Sequence, residues 1–218
     1  MYIYALAASA DARTDVSSSH VYIKTLICYD FFMHRSDEEL IAAYLRGEEG
    51  AFAYVVEHNL TAIYSFVRRF VGSNEDTEDI VQDTFLKAWK SIKKYNVQTS
   101  RFKTWLMRIA RNTAIDHMRK KKSVPMSYFD TEDGNALEDS LEDTTPLPDE
   151  LFMRGQNEEQ VTRALEALKA PQREVLLLHY MSGLTFEEVG AALEKPPNTV
   201  KSIHRRALAA LRRILAPK

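Results

Sequence analysis

The chain has 218 residues, a formal net charge of −2, seven glycines and seven prolines, so it can bury one or two cores and form long helices. Its single cysteine, Cys28, excludes a disulfide framework within the chain, and no Cys/His cluster has zinc spacing. We therefore expect two small helical domains in a reducing compartment, the cytoplasm, with no metal, cofactor or small-molecule substrate.

The near-neutral total conceals segments of unlike charge. Lys and Arg minus Asp and Glu gives 0 for residues 1–36, +3 for 37–122, −8 for 123–155 and +3 for 156–218. This pattern predicts an N-terminal extension at 1–35, a helical domain at 36–122, an acidic flexible linker at 123–155 and a second helical domain at 156–218.

The extension contains two short apolar runs. Residues 2–10 end in Ala-Ser-Ala, which resembles a signal-peptidase site, but no basic segment precedes them, and residues 21–32 are broken by Lys24 and Asp30. Neither run approaches the roughly 20 apolar residues of a membrane helix, so we expect no spanning segment. Met33 stands just before a capping box at Ser36, which suggests that translation begins there; a regulatory or membrane-touching arm is the alternative.

Helical periodicity begins at Asp37 and continues to about residue 92, with Trp89 expected on the core face of the last helix of this stretch. Opposite that face lie Asp79, Gln82, Asp83 and Lys87. Their carboxylates at i and i+4 could bind a metal or act in acid/base chemistry, could be merely solvated, or could dock a basic partner helix.

Residues 93–100 form a polar connection that contains Tyr95, Asn96 and Gln98. A ring, two amides and nearby lysines could hold an unstacked base, and stacking of one base contributes on the order of 1–3 kcal/mol. The alternative is an ordinary loop with a half-buried tyrosine.

The next helix, residues 101–122, has two different faces. Its apolar stripe comprises Phe102, Trp105, Leu106, Ile109, Ala110 and Thr113. A second flank carries Arg108, Asn112, Ile115 and Arg119, with Thr104 and Arg111 beside it. This flank suits a phosphate backbone, although a solvated basic face is the alternative.

The acidic linker contains Pro125, Pro146 and Pro148 and shows no sustained periodicity. It could mimic nucleic acid within a basic channel or serve as a solvated tether that repels DNA.

Helical order returns at Gln156 and ends in a helix-turn-helix pattern. Thr185 opens a capping box, a turn follows at residues 194–197, and Asn198 is expected to cap a last helix that ends near Leu215. On that helix the predicted apolar stripe is Val200, Ile203, Ala207, Leu211 and Ile214. The predicted outward face is Thr199, Lys201, Ser202, Arg205 and Arg206. We interpret His204 as a packing histidine rather than a base reader.

Three motifs in order and at familiar spacing resemble the extracytoplasmic-function group of bacterial sigma factors. They are EDIVQDTFLKAW (78–89), FKTWLMRIARN (102–112), and REVLL (173–177) followed by LTFEEV (184–189) and NTVKS (198–202). The resemblance covers about residues 36–122 and 158–215. It departs at Ile203-His204, where family members commonly carry Arg and an apolar residue, so no minus-35 sequence is inferred.

The resemblance implies a role for each surface, with core RNA polymerase, promoter DNA and an anti-sigma protein as partners. It implies a core-polymerase-binding set: Asp79, Gln82, Asp83, Phe85 and Lys87. It implies a minus-ten DNA-binding set: Tyr95, Asn96, Gln98, Lys103, Arg108, Arg111, Asn112 and Arg119. It implies a minus-35 DNA-binding set: Thr185, Asn198, Thr199, Lys201, Ser202, Arg205 and Arg206. The linker would thread through polymerase near the RNA path.

The expected mechanism is binding without covalent chemistry, because polymerase supplies the active site. One alternative is a stand-alone helix-turn-helix regulator, which leaves residues 78–122 without a role. Another is a nucleic-acid-modifying enzyme that uses Asp116 and His117, but adjacent helical residues point about 100° apart. We therefore predict a protein that is not an enzyme.

Overall fold

The computed structural model describes residues 34–122 and 158–215, which form two helical domains. The predictions for residues 1–33, including a start at Met33, and for the acidic linker lie outside the described residues. Within the described residues the regular structure is helical, which confirms the all-α fold class. No helix in those two ranges is long and apolar enough to cross a membrane.

The first domain consists of four helices, α1 (Asp37–Leu45), α2 (Ala51–Val71), α3 (Asn74–Ser91) and α4 (Phe102–Lys122). The predicted capping box begins α1: the Ser36 hydroxyl accepts a hydrogen bond from the Glu39 amide, and the Glu39 carboxylate accepts one from the Ser36 amide. Asp37 then joins α1 to α2, because its carboxylate accepts a 2.8 Å hydrogen bond from buried Asn59.

The core of this domain lies between α2, α3 and α4, and α1 closes one side. Apolar residues recur every three or four positions on each helix, so their stripes meet in the centre and leave water. The largest fully buried side chains are Phe66, Phe70, Phe102, Leu40, Ile63, Ile80, Ile92, Leu106 and Met107.

The second domain consists of α5 (Glu158–Glu166), α6 (Ala170–Leu176), α7 (Phe186–Leu193) and α8 (Pro197–Leu215), with a π-helical turn at Leu177–Met181 after α6. The Thr185 capping box at the start of α7 is present as predicted. The pair α7 and α8 forms the predicted helix-turn-helix.

The turn between α7 and α8 depends on a glycine inside α7. A Cβ on Gly190 would lie 2.7 Å from the Lys195 carbonyl oxygen, a distance that real Cβ atoms do not show. The backbone can therefore fold back closely, and the amide of Lys195 donates a 2.9 Å hydrogen bond to the Gly190 carbonyl. Glu194 completes the reversal in the left-handed region, with φ at 56°.

Two predictions about the helix ends were wrong. Asn198 is not the cap of α8, because the helix begins one residue earlier at Pro197, whose fixed φ already suits the first helical position. Ile214 does not continue the apolar stripe: it lies 43% exposed near the end of α8, beyond the last buried residue of that stripe, Leu211.

Three predictions about helix faces were also wrong. Ile115 and Thr104 are buried rather than on or beside the polar flank of α4, because α4 packs against α3, α2 and α7 and its buried arc is wider than one stripe. Trp89 is 48% exposed, since it lies past the edge of the buried arc of α3, where its indole NH donates a 2.7 Å hydrogen bond to the Tyr44 hydroxyl.

Candidate interfaces for protein and DNA

The acidic face predicted on α3 is exposed where it was expected. Asp79, Gln82 and Asp83 all lie on the surface, whereas Phe85 is buried. Lys87 turns toward α4 instead: its ammonium group donates a 3.1 Å hydrogen bond to the Thr113 hydroxyl and lies 3.9 Å from an Asp116 carboxylate oxygen. The structure thus separates Lys87 from the acidic face and makes it a link between two helices.

Beside this face runs an apolar groove between α2 and α3 that the sequence patterns do not predict. Its lining residues are Phe52, Val56, Leu60, Tyr64, Glu78, Val81, Gln82, Phe85, Leu86 and Trp89. Leu60 and Leu86 are more than 40% exposed, so the groove presents apolar surface to solvent. The available signal was Leu86, a large apolar residue that lies outside the core stripe predicted for α3.

Tyr95 is built into the domain rather than displayed by a loose loop. Its ring centroid lies 5.5 Å from the rings of Phe102 and Trp105, and its hydroxyl donates a 3.0 Å hydrogen bond to the Ser100 carbonyl. Burial, followed by the nearby carboxylates of Glu38 and Asp37, raises the pKa of Tyr95 to about 12. A base could therefore stack only on the part of the ring that these contacts leave exposed.

The remaining loop residues are arranged by a local turn. The Asn96 side-chain oxygen accepts a 2.9 Å hydrogen bond from the Gln98 amide, the Asx-turn geometry that asparagine favours. The Gln98 side chain remains exposed, as does that of Asn96. The turn fixes where the loop presents these two amides next to the start of α4.

The predicted basic flank of α4 lies on the surface of the first domain, and the second domain covers part of it. Asn112 and Arg119 are exposed, Lys103 is half-buried, and Arg108 lies 3.9 Å from a Glu194 carboxylate oxygen. Arg111 makes two hydrogen bonds to Glu174, from Nε at 2.7 Å and from Nη2 at 3.4 Å. Two of the arginines predicted for phosphate contacts, Arg108 and Arg111, therefore pair with carboxylates of the second domain.

Glu174, on α6, is fully buried, with no exposed surface. Burial raises its pKa, and the guanidinium of Arg111 opposes that effect. In the sequence Glu174 stands out only as part of the motif at residues 173–177, because nothing in its local pattern reveals a partner that is 63 residues away.

A second charged cluster fixes the far end of α4. The Asp76 carboxylate accepts a 2.7 Å hydrogen bond from Lys121 and lies 3.0 Å from His117 Nε2. The hydrogen bond from Lys121 is the main reason that the pKa of Asp76 falls to about 2, with His117 and Ser73 contributing. His117 is thus held in a structural cluster, apart from Asp116.

The predicted minus-35 residues fall into two groups. Asn198, Lys201 and Arg205 are exposed on the first half of α8. Thr199, Ser202 and Arg206 are half-buried, and the Ser202 carbonyl accepts a 3.3 Å hydrogen bond from Arg206 Nε. Thr185 is occupied in capping α7. The exposed cations sit where a recognition helix would meet a DNA groove.

His204 belongs to an aromatic cluster beneath α8, which confirms the packing interpretation. Its Nε2 lies 3.1 Å from the Tyr180 hydroxyl, and its ring contacts those of Phe186 and His179. Burial, and then the proximity of His179, lowers the pKa of His204 to about 4.

Comparisons with known proteins agree with this architecture. The family model of Sigma-70 region 2 matches residues 55–124, and that of Sigma-70, region 4 matches residues 158–211. The ECF RNA polymerase sigma factor SigW of Bacillus subtilis is 32% identical over 174 residues, which cover 78% of this chain and 91% of that protein.

Two solved structures share the fold. CnrH, in complex with the cytosolic domain of CnrY, matches 82% of this chain and 96% of its own at 25% identity, with a TM-score of 0.60. The sigma factor RpoE of Bartonella quintana, in complex with the anti-sigma factor NepR, matches 76% and 97% at 26% identity, with a TM-score of 0.57. The motifs, the two helical domains and these likenesses together show that the chain belongs to the extracytoplasmic-function group of sigma-70 family sigma factors, which direct core RNA polymerase to promoters for transcription initiation.

Proposed function

We propose that this sigma factor divides its work among three surfaces: α3 with the apolar groove for core polymerase, α4 with the preceding loop for the minus-ten DNA, and the first half of α8 for the minus-35 DNA. It acts by binding in the cytoplasm, while polymerase supplies the chemistry. The observation that carries the proposal is the placement of exposed acid and exposed apolar surface side by side on α3.

The polymerase surface would combine the two features of α3. Asp79 and Asp83 would attract a basic partner, and the groove would bury its apolar side chains, which supplies most of the affinity. This pairing fits a partner helix with one apolar and one basic edge.

Co-purification with core polymerase tests this assignment. Asp83→Arg and Leu86→Asp should each reduce recovery of the complex, because one reverses the charge and the other places a carboxylate in the groove. Glu49→Arg, a charge reversal of an exposed acid between α1 and α2, provides the matched control. Recovery equal to wild type for both variants would contradict the assignment.

The minus-ten surface would use Arg108, Arg111 and Arg119 for phosphates, and Asn112 for an unstacked base. A side-chain amide can recognise a base edge, whereas guanidinium groups mainly position the backbone. Tyr95 supports this surface by packing, and its exposed edge is available to a base.

Permanganate reactivity of a melted promoter tests this surface with core polymerase present. Asn112→Ala should reduce reactivity in the minus-ten region more than it reduces binding to duplex DNA. Asp116→Ala changes an exposed residue one helical turn away and should leave reactivity near wild type. Unchanged reactivity for Asn112→Ala would overturn the role of this residue.

The minus-35 surface would use Lys201 and Arg205, which are exposed on the half of α8 that a DNA groove accepts. Loss of one phosphate contact should weaken duplex binding at every sequence and lower the salt slope by about 1. A gel-shift salt titration of Lys201→Ala measures both effects.

A protein partner that inhibits the chain is also proposed. Both similar solved structures are complexes with another protein, and one of those partners is named as an anti-sigma factor. Affinity purification from cells with the wild-type chain would recover such a partner. The same purification with Leu86→Asp would then show whether the partner uses the apolar groove, because recovery should fall if it does.

A further inference from the structure

Oppositely charged side chains form pairs across the interface between the two domains. Three arginines of the first domain face three glutamates of the second: Arg111 pairs with Glu174 at 2.7 Å, Arg101 with Glu188 at 3.6 Å, and Arg108 with Glu194 at 3.9 Å. Two of these arginines belong to the proposed minus-ten surface. Glu174 and Glu194 therefore occupy positions at which that surface would bind phosphates.

While Arg111 is paired with Glu174, its guanidinium group does not offer its hydrogen-bond donors to a phosphate. Arg111 donates from Nε and Nη2 to Glu174 and from Nη1 to the Asn112 side-chain oxygen, so all three of its nitrogens are engaged. The fork of two hydrogen bonds that a guanidinium offers to a carboxylate is the same fork that it offers to a phosphate. Binding of one excludes binding of the other.

The pair is largely shielded from solvent, because the side chain of Glu174 has no exposed surface and that of Arg111 is 12% exposed. Met107 is fully buried and its sulfur accepts a 3.4 Å hydrogen bond from the Ser182 hydroxyl, which is buried as well. The Arg173 guanidinium lies 5.8 Å from the centre of the Phe70 ring, which adds a contact between α6 and α2. A charged pair in such a place is stabilising while both partners are present, and removal of one leaves a buried charge without compensation.

The first domain does not cover the two cations proposed for the minus-35 DNA, Lys201 and Arg205. Lys201 and Arg205 are exposed on α8, whereas the contacts with the first domain described above come from α6, α7, the turn at Leu177–Met181 and Glu194. The second domain therefore covers one DNA surface of the chain while it leaves its own exposed.

We infer that the second domain inhibits the first by substituting carboxylates for DNA phosphates, with Arg111 and Glu174 as the central contact that must open before the minus-ten DNA binds. The inference rests on the proposed function only for the identity of the covered surface. Closure itself is a property of the protein without DNA or polymerase.

Fluorescence energy transfer within the full chain measures closure directly. Dyes are attached at cysteines that replace Thr61 and Arg213, exposed residues of α2 and α8, in a Cys28→Ser background. Arg111→Glu and Glu174→Arg should each lower the transfer efficiency, with the ratio of closed to open chains reduced about tenfold or more. The double variant restores an opposite pair and should recover most of the wild-type efficiency.

The controls separate opening from misfolding and from a general effect of charge. Glu187→Arg makes the same charge change in the second domain at a residue that contacts Lys201 rather than α4, and should leave the efficiency unchanged. Circular dichroism should give wild-type helicity, and Glu174→Gln provides a milder opening variant. Efficiency equal to wild type in both single charge reversals, or a double variant as open as they are, would overturn the inference.

DNA binding then tests which surface is covered, with a promoter selected by transcription in vitro with core polymerase. Glu174→Arg should bind the single-stranded minus-ten DNA about tenfold more tightly than Glu49→Arg, which makes the same charge change at an exposed residue outside both DNA surfaces, and should bind the minus-35 duplex equally well. An equal gain on both DNAs would overturn the selective covering. A wild-type chain that supports no transcription would refute the proposed function and leave the transfer measurements as the independent test of closure.

Discussion

Asp76 offers the sharpest stability test, because one substitution removes a carboxylate that joins the start of α3 to the end of α4. Asp76→Asn keeps the size of the side chain but removes the charge that accepts hydrogen bonds from Lys121 and contacts His117. The side chain also lies in the first turn of α3, where the helix dipole favours a negative charge.

The size of the effect follows from the pKa of Asp76. The fall from the ordinary value of 3.8 to about 2 corresponds to about 2.4 kcal/mol at neutral pH. Lys121 is 54% exposed, so solvent screens the pair and we expect about 1–2 kcal/mol. Because the folded pKa is lowered, this stabilisation is complete above pH 4 and disappears as the pH falls from about 4 to 2.

Urea unfolding of wild type and Asp76→Asn at several pH values measures the difference. The two free energies of unfolding should differ by about 1–2 kcal/mol at pH 7 and converge as the pH approaches 2. Asp116→Asn, at an exposed acid of α4, should change the free energy by less than about 0.5 kcal/mol. A constant difference across this pH range, or none at pH 7, would refute the reasoning.

Three further predictions concern other parts of the fold. Gly190→Ala should destabilise the second domain by about 1–3 kcal/mol in thermal unfolding, because its methyl group would meet the Lys195 carbonyl; Gly50→Ala, where a Cβ meets nothing within 4 Å, is the control. Tyr95→Phe should cost about 1 kcal/mol of stability through loss of the hydrogen bond to Ser100 and retain promoter opening, whereas Tyr95→Ala should lose both; equal opening by the two variants would exclude a role for the ring. The lowered pKa of His204 means that the unfolded chain binds the extra proton, so the melting temperature of the second domain should fall as the pH drops from 6.5 to 4, and His204→Gln should weaken that dependence.

Local patterns in the sequence determined much of this protein. Ser36 and Thr185 begin helices because the hydroxyl and the glutamate three residues later satisfy amides that a helix start leaves unpaired, and this chemistry is contained within four residues. The acidic face of α3 was likewise predictable, since a face that no helix covers stays where the helical period puts it. The order and spacing of the motifs then identified the family.

Only the tertiary structure decided which helices pack against each other and how much of each helix surface they bury. Ile115 and Thr104 became buried because a second and a third helix cover α4, and Trp89 became exposed because none covers that edge of α3. The apolar groove and the pairing of Arg111 with Glu174 have the same origin. Both join residues that are far apart in the chain, and a helical period specifies the direction of a side chain but not the partner that it meets.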